Sequence, residues 1–278
     1  MEKLTPSASV LNIYGFCAQA ALNELAETTL KDVVKTSSKK RKNSQGGKVI
    51  SRLSSLQKLN FAAQIAQGVA DLHTIDGGNN VTAVWRDIKP ANILVMKDGS
   101  VKINDFNAAE LLYWNTRKNT QCTFRRILLT PNVSHQWDVC ECPVHTRYST
   151  THLILFPCLK MISLCSFLGL IWLLCNQYKS PEEIKEGPLT EKVDVWSLGA
   201  IIYYILVEKE PYHSMHKADV AKAIWLGKRP EISTKLINSA DKSVRTLINA
   251  MYSCFTYKEK ERPTARSIVN ILRSELKS

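Results

Sequence analysis

The sequence contains no G-x-G-x-x-G run, so the common glycine-rich turn that cradles phosphates is absent from it. Its eight cysteines form no C-x-x-C pair, which argues against a zinc framework and against a disulfide scaffold. Cys140-x-Cys142 with His145 nearby has no second pair at ligand spacing, and no metal site is read there. The opening residues Met1-Glu2-Lys3-Leu4-Thr5-Pro6 lead into no adequate apolar core, so no signal peptide is read. Reduced thiols in a cytoplasmic compartment, with a nuclear one as the alternative, are the expectation. No acid occurs between Val33 and Ala70, a stretch that carries eight Lys or Arg. Much of the net charge of +12 is therefore local. A solvated basic insert explains it better than a nucleic-acid surface, and no nucleic-acid partner is expected.

What is present is an ordinary globular composition, 45% hydrophobic and 22% charged, in 278 residues. That length suits one large domain or two small ones. The most informative stretch is Trp85-Arg86-Asp87-Ile88-Lys89-Pro90-Ala91-Asn92, followed by Asn104-Asp105-Phe106-Asn107. Between them lie Ile93-Leu94-Val95-Met96, a turn at Lys97-Asp98-Gly99-Ser100, and Val101-Lys102-Ile103. Asp-Gly between two apolar or β-branched runs is a strong hairpin signal.

This ordered set resembles the catalytic loop, hairpin and metal-binding loop of the eukaryotic protein kinases, H-R-D-x-K-P-x-N and D-F-G. The resemblance implies an α+β, protein-kinase-like fold whose large lobe is mostly helical. It implies transfer of the ATP γ-phosphoryl group to a hydroxyl of a protein substrate, with Mg2+ as cofactor. Asp87 would accept the substrate hydroxyl's proton. Asn92 and Asp105 would bind magnesium through oxygen, which suits a hard cation. Lys89 would lie against the γ-phosphate and points to serine/threonine substrates. Trp85 stands where the family has His, within an apolar stack. Asn107 stands where it has Gly, and Asn is the residue next most tolerant of the left-handed region.

Upstream, Val10 to Cys17 and Ala20 to Ala26 read as strands. In register with the family they resemble the last two small-lobe strands and the hinge. Asn23 would then gate the adenine pocket, and Glu24 and Ala26 would offer a carbonyl and an amide to the adenine edge. Only nine residues precede Val10, and no upstream lysine stands where the family's phosphate-clamping lysine would. The small lobe is therefore read as a remnant. Lys35 to Lys48 reads as a polar basic loop, with Lys39 to Lys42 as an alternative nuclear-import patch.

Leu53 to His73 reads as a long helix, with Leu56, Leu59, Ala63, Ala66, Ala70 and His73 on its apolar stripe. Asp194 to Val207 is apolar all round and reads as a fully buried helix, broken at Glu210-Pro211-Tyr212. Further helices are read over Ala218 to Leu226, Val244 to Phe255 and Thr264 to Leu276. By resemblance, Asp194 receives backbone N–H bonds from the catalytic loop. Ser180-Pro181-Glu182 resembles the A-P-E element, whose acid Glu182 would pair with Arg262 of the R-P-T element. Thr116, Thr120 and Thr123 fall in the activation segment.

Seventy-six residues separate Asp105 from Glu182, and Val133 to Gln177 has a foreign texture. Met161 to Cys175 is fifteen residues without charge, short of the roughly twenty needed to cross a membrane. Three readings stand: a membrane span, an extra buried helix, and a segment foreign to the domain such as translated intron; the texture favours the last. The whole is read as one kinase-like domain, 1–278, truncated at its N-terminal side. Its parts are a small-lobe remnant and hinge (10–34), a basic insert (35–48), a large lobe (49–132 and 178–276) and an apolar insert (133–177). An inactive scaffold that binds protein partners is the alternative to an enzyme.

Overall fold

A computed structural model describes residues 7–17, 20–38, 53–78, 80–115, 117–124 and 176–276. Most of the segment 133–177, with Cys140, Cys142, His145 and the run Met161 to Cys175, lies outside the described residues, as does 39–52 of the basic stretch. Among the described residues no helix is long and apolar enough to cross a membrane, and no His, Cys, Asp and Glu cluster could hold a metal.

The fold is α+β. Strands β1 (Ile13–Cys17) and β2 (Ala20–Asn23) form an antiparallel ribbon. Strand β3 (Thr28–Thr29) leads into helix α1 (Leu30–Ser38). Helix α2 (Ser55–His73) is followed by β4 (Ala83–Val84), β5 (Ile93–Val95), β6 (Val101–Ile103), β7 (Glu110–Leu111), β8 (Trp114–Asn115) and β9 (Thr120–Gln121). Then come α3 (Pro181–Ile184), α4 (Lys192–Val207), α5 (Lys217–Trp225), α6 (Thr234–Ile237), α7 (Lys242–Cys254) and α8 (Ala265–Leu276). The sheet pieces are small: β3–β5–β6, β4–β7 and β8–β9, all antiparallel.

Helix α4 is the axis of the core. Val193 to Leu206 are all buried, as an apolar-all-round sequence demands. Its Trp196 meets Phe255 edge-on, with ring centroids 4.9 Å apart. The approach of α7 to α4 needs a glycine at Gly199, where a Cβ would lie 2.7 Å from the Cys254 Cβ. Helix α4 ends before Glu210, because Glu208 takes a left-handed conformation (φ 60°) and returns its N–H to the Tyr204 carbonyl at 2.9 Å.

Helix α2 starts with a capping box, Ser54 with Gln57, and packs on α8, α4 and β6. Its buried stripe runs through Leu59, Ala63, Ala66, Ala70 and His73, but Leu56 is 57% exposed. Leu56 lies in the first turn of the helix. Helix α1 is a departure from the loop read at Lys35, since Lys35 to Ser38 are helical. Val-Val, Thr and Ser are weak helix formers. Burial of Leu30 and Val34, one turn apart and both at 1% exposure or less, is what fixes this helix.

Candidate active site

The hairpin β5–β6 sets the geometry. Its register pairs Ile93 with Ile103, Leu94 with Lys102 and Val95 with Val101. One step outside it, the Asn104 N–H donates to the Asn92 carbonyl at 2.9 Å. Asp105 therefore follows directly on a residue bonded to Asn92, although thirteen positions separate the two in sequence.

Asp87, Lys89 and Asn92 form one hydrogen-bonded cluster. Lys89 Nζ lies 2.5 Å from Asp87 Oδ2, and Asn92 Nδ2 donates to the same oxygen at 2.8 Å and to the Asp87 carbonyl at 3.0 Å. The Asn92 N–H also closes the turn onto the Lys89 carbonyl at 3.0 Å. With its nitrogen committed twice to Asp87, Asn92 keeps its amide oxygen for another partner. An amide oxygen and the Asp105 carboxylate are hard donors of the kind magnesium takes, so the residues fit that ion.

Asp105 adopts φ 63°, a left-handed conformation that is costly for a residue with a side chain. The sequence placed this demand two residues later, at Asn107; the structure puts it on the acid itself. Trp85 holds the bend. It is fully buried, its Nε1–H donates to the Asp105 carbonyl at 2.8 Å, and its ring lies 5.7 Å from that of Phe106. Trp85 is thus more than apolar filling, and its indole donor, unlike an imidazole, carries no titration near neutrality. Trp85→Phe keeps an aromatic ring, removes the donor and empties part of the indole's buried volume. We expect a melting temperature lower by at least a few degrees, from about 1–2 kcal/mol for the carbonyl left unpaired and a further loss for the vacated volume. Calorimetry on the purified chain measures this, and an unchanged value would show that the bond holds nothing.

Asp194 is fully buried and secures the loop from beneath. Its Oδ2 accepts the Trp85 N–H at 2.6 Å and its Oδ1 the Arg86 N–H at 2.8 Å. His73 Nε2 lies 2.9 Å from the same Oδ2. His73 was read only as the end of an apolar stripe; its partner lies 121 positions away, and no local pattern points to it. Arg86 is held by Glu110 at 2.7 Å, with its guanidinium 5.1 Å from the Phe124 ring centroid.

Glu182 and Arg262 meet as a two-pronged pair, Nη1 to Oε1 at 2.6 Å and Nη2 to Oε2 at 3.1 Å. On the hinge side, the Glu24 carboxylate binds Lys102 Nζ at 2.6 Å and accepts the Asn12 N–H at 2.8 Å. Glu24 is tied in this way to β6, the strand that ends one residue before Asn104. Ala26 is half-buried, while Asn23 and Leu25 are exposed. Of the threonines, Thr116 lies outside the described residues and Thr123 is exposed.

A family model for the protein kinase domain matches residues 7–132 and 173–272, well over half of the chain. The chain belongs to the protein kinase family. Three curated kinases and receptors illustrate its relationships. It is 26% identical to the 3-phosphoinositide-dependent protein kinase 1 of Caenorhabditis elegans over 59% of this chain and 23% of that protein. It is 22% identical to the insulin-like receptor of the same animal over 77% of this chain and 8% of that protein. It is 27% identical to the serine/threonine-protein kinase PKH1 of Saccharomyces cerevisiae over 56% of this chain and 15% of that protein. The kinase-like chain thus spans less than a quarter of the length of these relatives.

Proposed function

We propose that this kinase-family chain transfers the γ-phosphoryl group of ATP to a serine or threonine hydroxyl of a protein. The observation that carries the reading is the shared oxygen of Asp87, bound at once by Lys89 and Asn92, with Asp105 one residue beyond the Asn104–Asn92 bond. Asp87 accepts the proton of the attacking hydroxyl. Lys89 holds the cluster now and is free to swing to a γ-phosphate, since its side chain is 41% exposed. Asn92 and Asp105 would hold magnesium, which when bound would neutralise charge on the phosphates. The backbone at Glu24 and Ala26 offers the adenine edge its two hydrogen bonds. In this reading 1–278 is a single domain, with the hinge in 10–34 and the large lobe in 49–132 and 178–276.

One feature favours a second reading, a scaffold that binds protein partners without turnover: the sequence has no G-x-G-x-x-G. Thermal unfolding with and without millimolar ATP decides between them. The enzyme requires stabilisation by ATP that depends on magnesium; at a hundredfold excess over Kd it amounts to about 2.7 kcal/mol. It also requires transfer of label from the γ-position to a protein acceptor. No shift at millimolar nucleotide and no transfer leave the scaffold.

A further inference from the structure

We infer that Lys179 is a positioning residue for Asp87, tying the end of the activation segment to the catalytic loop; this rests on the phosphoryl-transfer reading above. Lys179 Nζ donates to the Arg86 carbonyl at 2.8 Å. That carbonyl belongs to the peptide unit that joins Arg86 to Asp87, so fixing it fixes the plane from which the Asp87 side chain leaves. Arg86 is itself left-handed, at φ 69°. A side-chain-bearing residue stays in that region only when its surroundings hold it there. Here both of its peptide groups are held: the N–H by Asp194 Oδ1 at 2.8 Å, the C=O by Lys179.

The other end of the tether is equally fixed. Lys179 Nζ is 3.1 Å from Glu183 Oε1, and the Glu183 side chain is 6% exposed. The second oxygen, Oε2, accepts the Ser180 N–H at 2.9 Å and the Ser180 hydroxyl at 3.0 Å. Ser180 is the N-cap of α3 and fully buried. One carboxylate thus closes the capping box of α3 and anchors the lysine that grips the catalytic loop. Glu182, between them in sequence, is clipped to Arg262. Setting α3 on the helical core therefore places an ammonium group under the peptide of the candidate base. Lys179 is 21% exposed and has no part in the chemistry itself.

The test uses the whole chain with Lys179→Met, which keeps the stem and loses the donor, and Lys179→Arg, which keeps a donor. Positioning predicts that K179M lowers kcat for a protein acceptor by about tenfold or more with the KM for ATP little changed, and that K179R recovers most of the rate. A lysine with only a structural role would lower the melting temperature and leave kcat of the folded fraction intact, which would overturn the inference. A second measurement needs no turnover. The backbone order parameter at Asp87 should fall from the rigid range near ~0.85 towards ~0.6 in K179M, while values in α4 stay put. An unchanged order parameter at Asp87 refutes the tether. If the unsubstituted chain transfers no phosphoryl group, the functional reading fails, and the order parameter still decides whether Lys179 holds the loop.

Discussion

Asp87→Asn should reduce phosphoryl transfer by about 10²–10⁴-fold, the range lost when a general base is removed, and leave stability nearly untouched. The geometry separates the two effects. Asp87 Oδ2 accepts from Lys89 and from Asn92 Nδ2. The amide oxygen of an Asn at this position accepts from both in the same way, so the cluster can re-form around it. What disappears is the basicity that the proposed mechanism assigns to this carboxylate, together with one negative charge beside the lysine. The Asp87 side chain is 30% exposed, so the change strands no buried charge. Single-turnover transfer of a labelled γ-phosphoryl group measures the rate, and calorimetry measures the fold. A D87N chain that transfers phosphate at the unsubstituted rate would remove Asp87 from the mechanism. A collapsed melting temperature with a matching loss of rate would instead mark the acid as a structural prop.

The contrast between legible and illegible parts follows the range of the interactions. The hairpin was written in eleven consecutive residues, with Asp98-Gly99 at its turn, and it appears there with Ile93 paired to Ile103. Helix α4 was equally open to reading, because a stretch apolar on every face has nowhere to lie except the centre. Asp87, Lys89 and Asn92 lie within six residues, so one tight turn brings them together. Lys179 and His73 are different. Each acts on a partner about a hundred positions away, through a carbonyl or a carboxylate that no local pattern marks. Helix α1 eluded the reading for a related reason: its residues prefer other conformations, and tertiary burial of Leu30 and Val34 overrides them. The left-handed bend was assigned to Asn107 because the residue types favoured it. The Trp85 indole Nε1–H, a donor set twenty positions upstream, holds the left-handed bend at Asp105.

Arg262→Met should cost about 3–5 kcal/mol, the usual loss when one member of a buried ion pair is removed, and Glu182→Gln should cost distinctly less. The asymmetry comes from what each change abandons. Arg262 has no exposed side-chain surface. Besides its two bonds to Glu182 it donates to the Thr256 carbonyl at 2.9 Å, the Lys192 carbonyl at 2.6 Å and the Tyr257 carbonyl at 3.4 Å, and its guanidinium lies 5.1 Å from the Trp196 ring centroid. Methionine fills much of the volume but leaves those carbonyls and the carboxylate of Glu182, 12% exposed, without the donor. Glutamine at 182 still offers an oxygen to one arm of the guanidinium, and the carbonyl bonds remain. Denaturant unfolding of the two variants gives the comparison directly. The double variant E182L/R262M should recover part of the loss, because an apolar pair leaves no charge stranded. Equal costs for the two single changes would mean that the carbonyl bonds contribute nothing and that the pair alone matters. The same clip seats α3, and α3 carries the Glu183 carboxylate that holds Lys179 against the catalytic loop. Arg262→Met should therefore lower kcat in the fraction that remains folded, by an amount not additive with Lys179→Met, since both changes release one and the same tether.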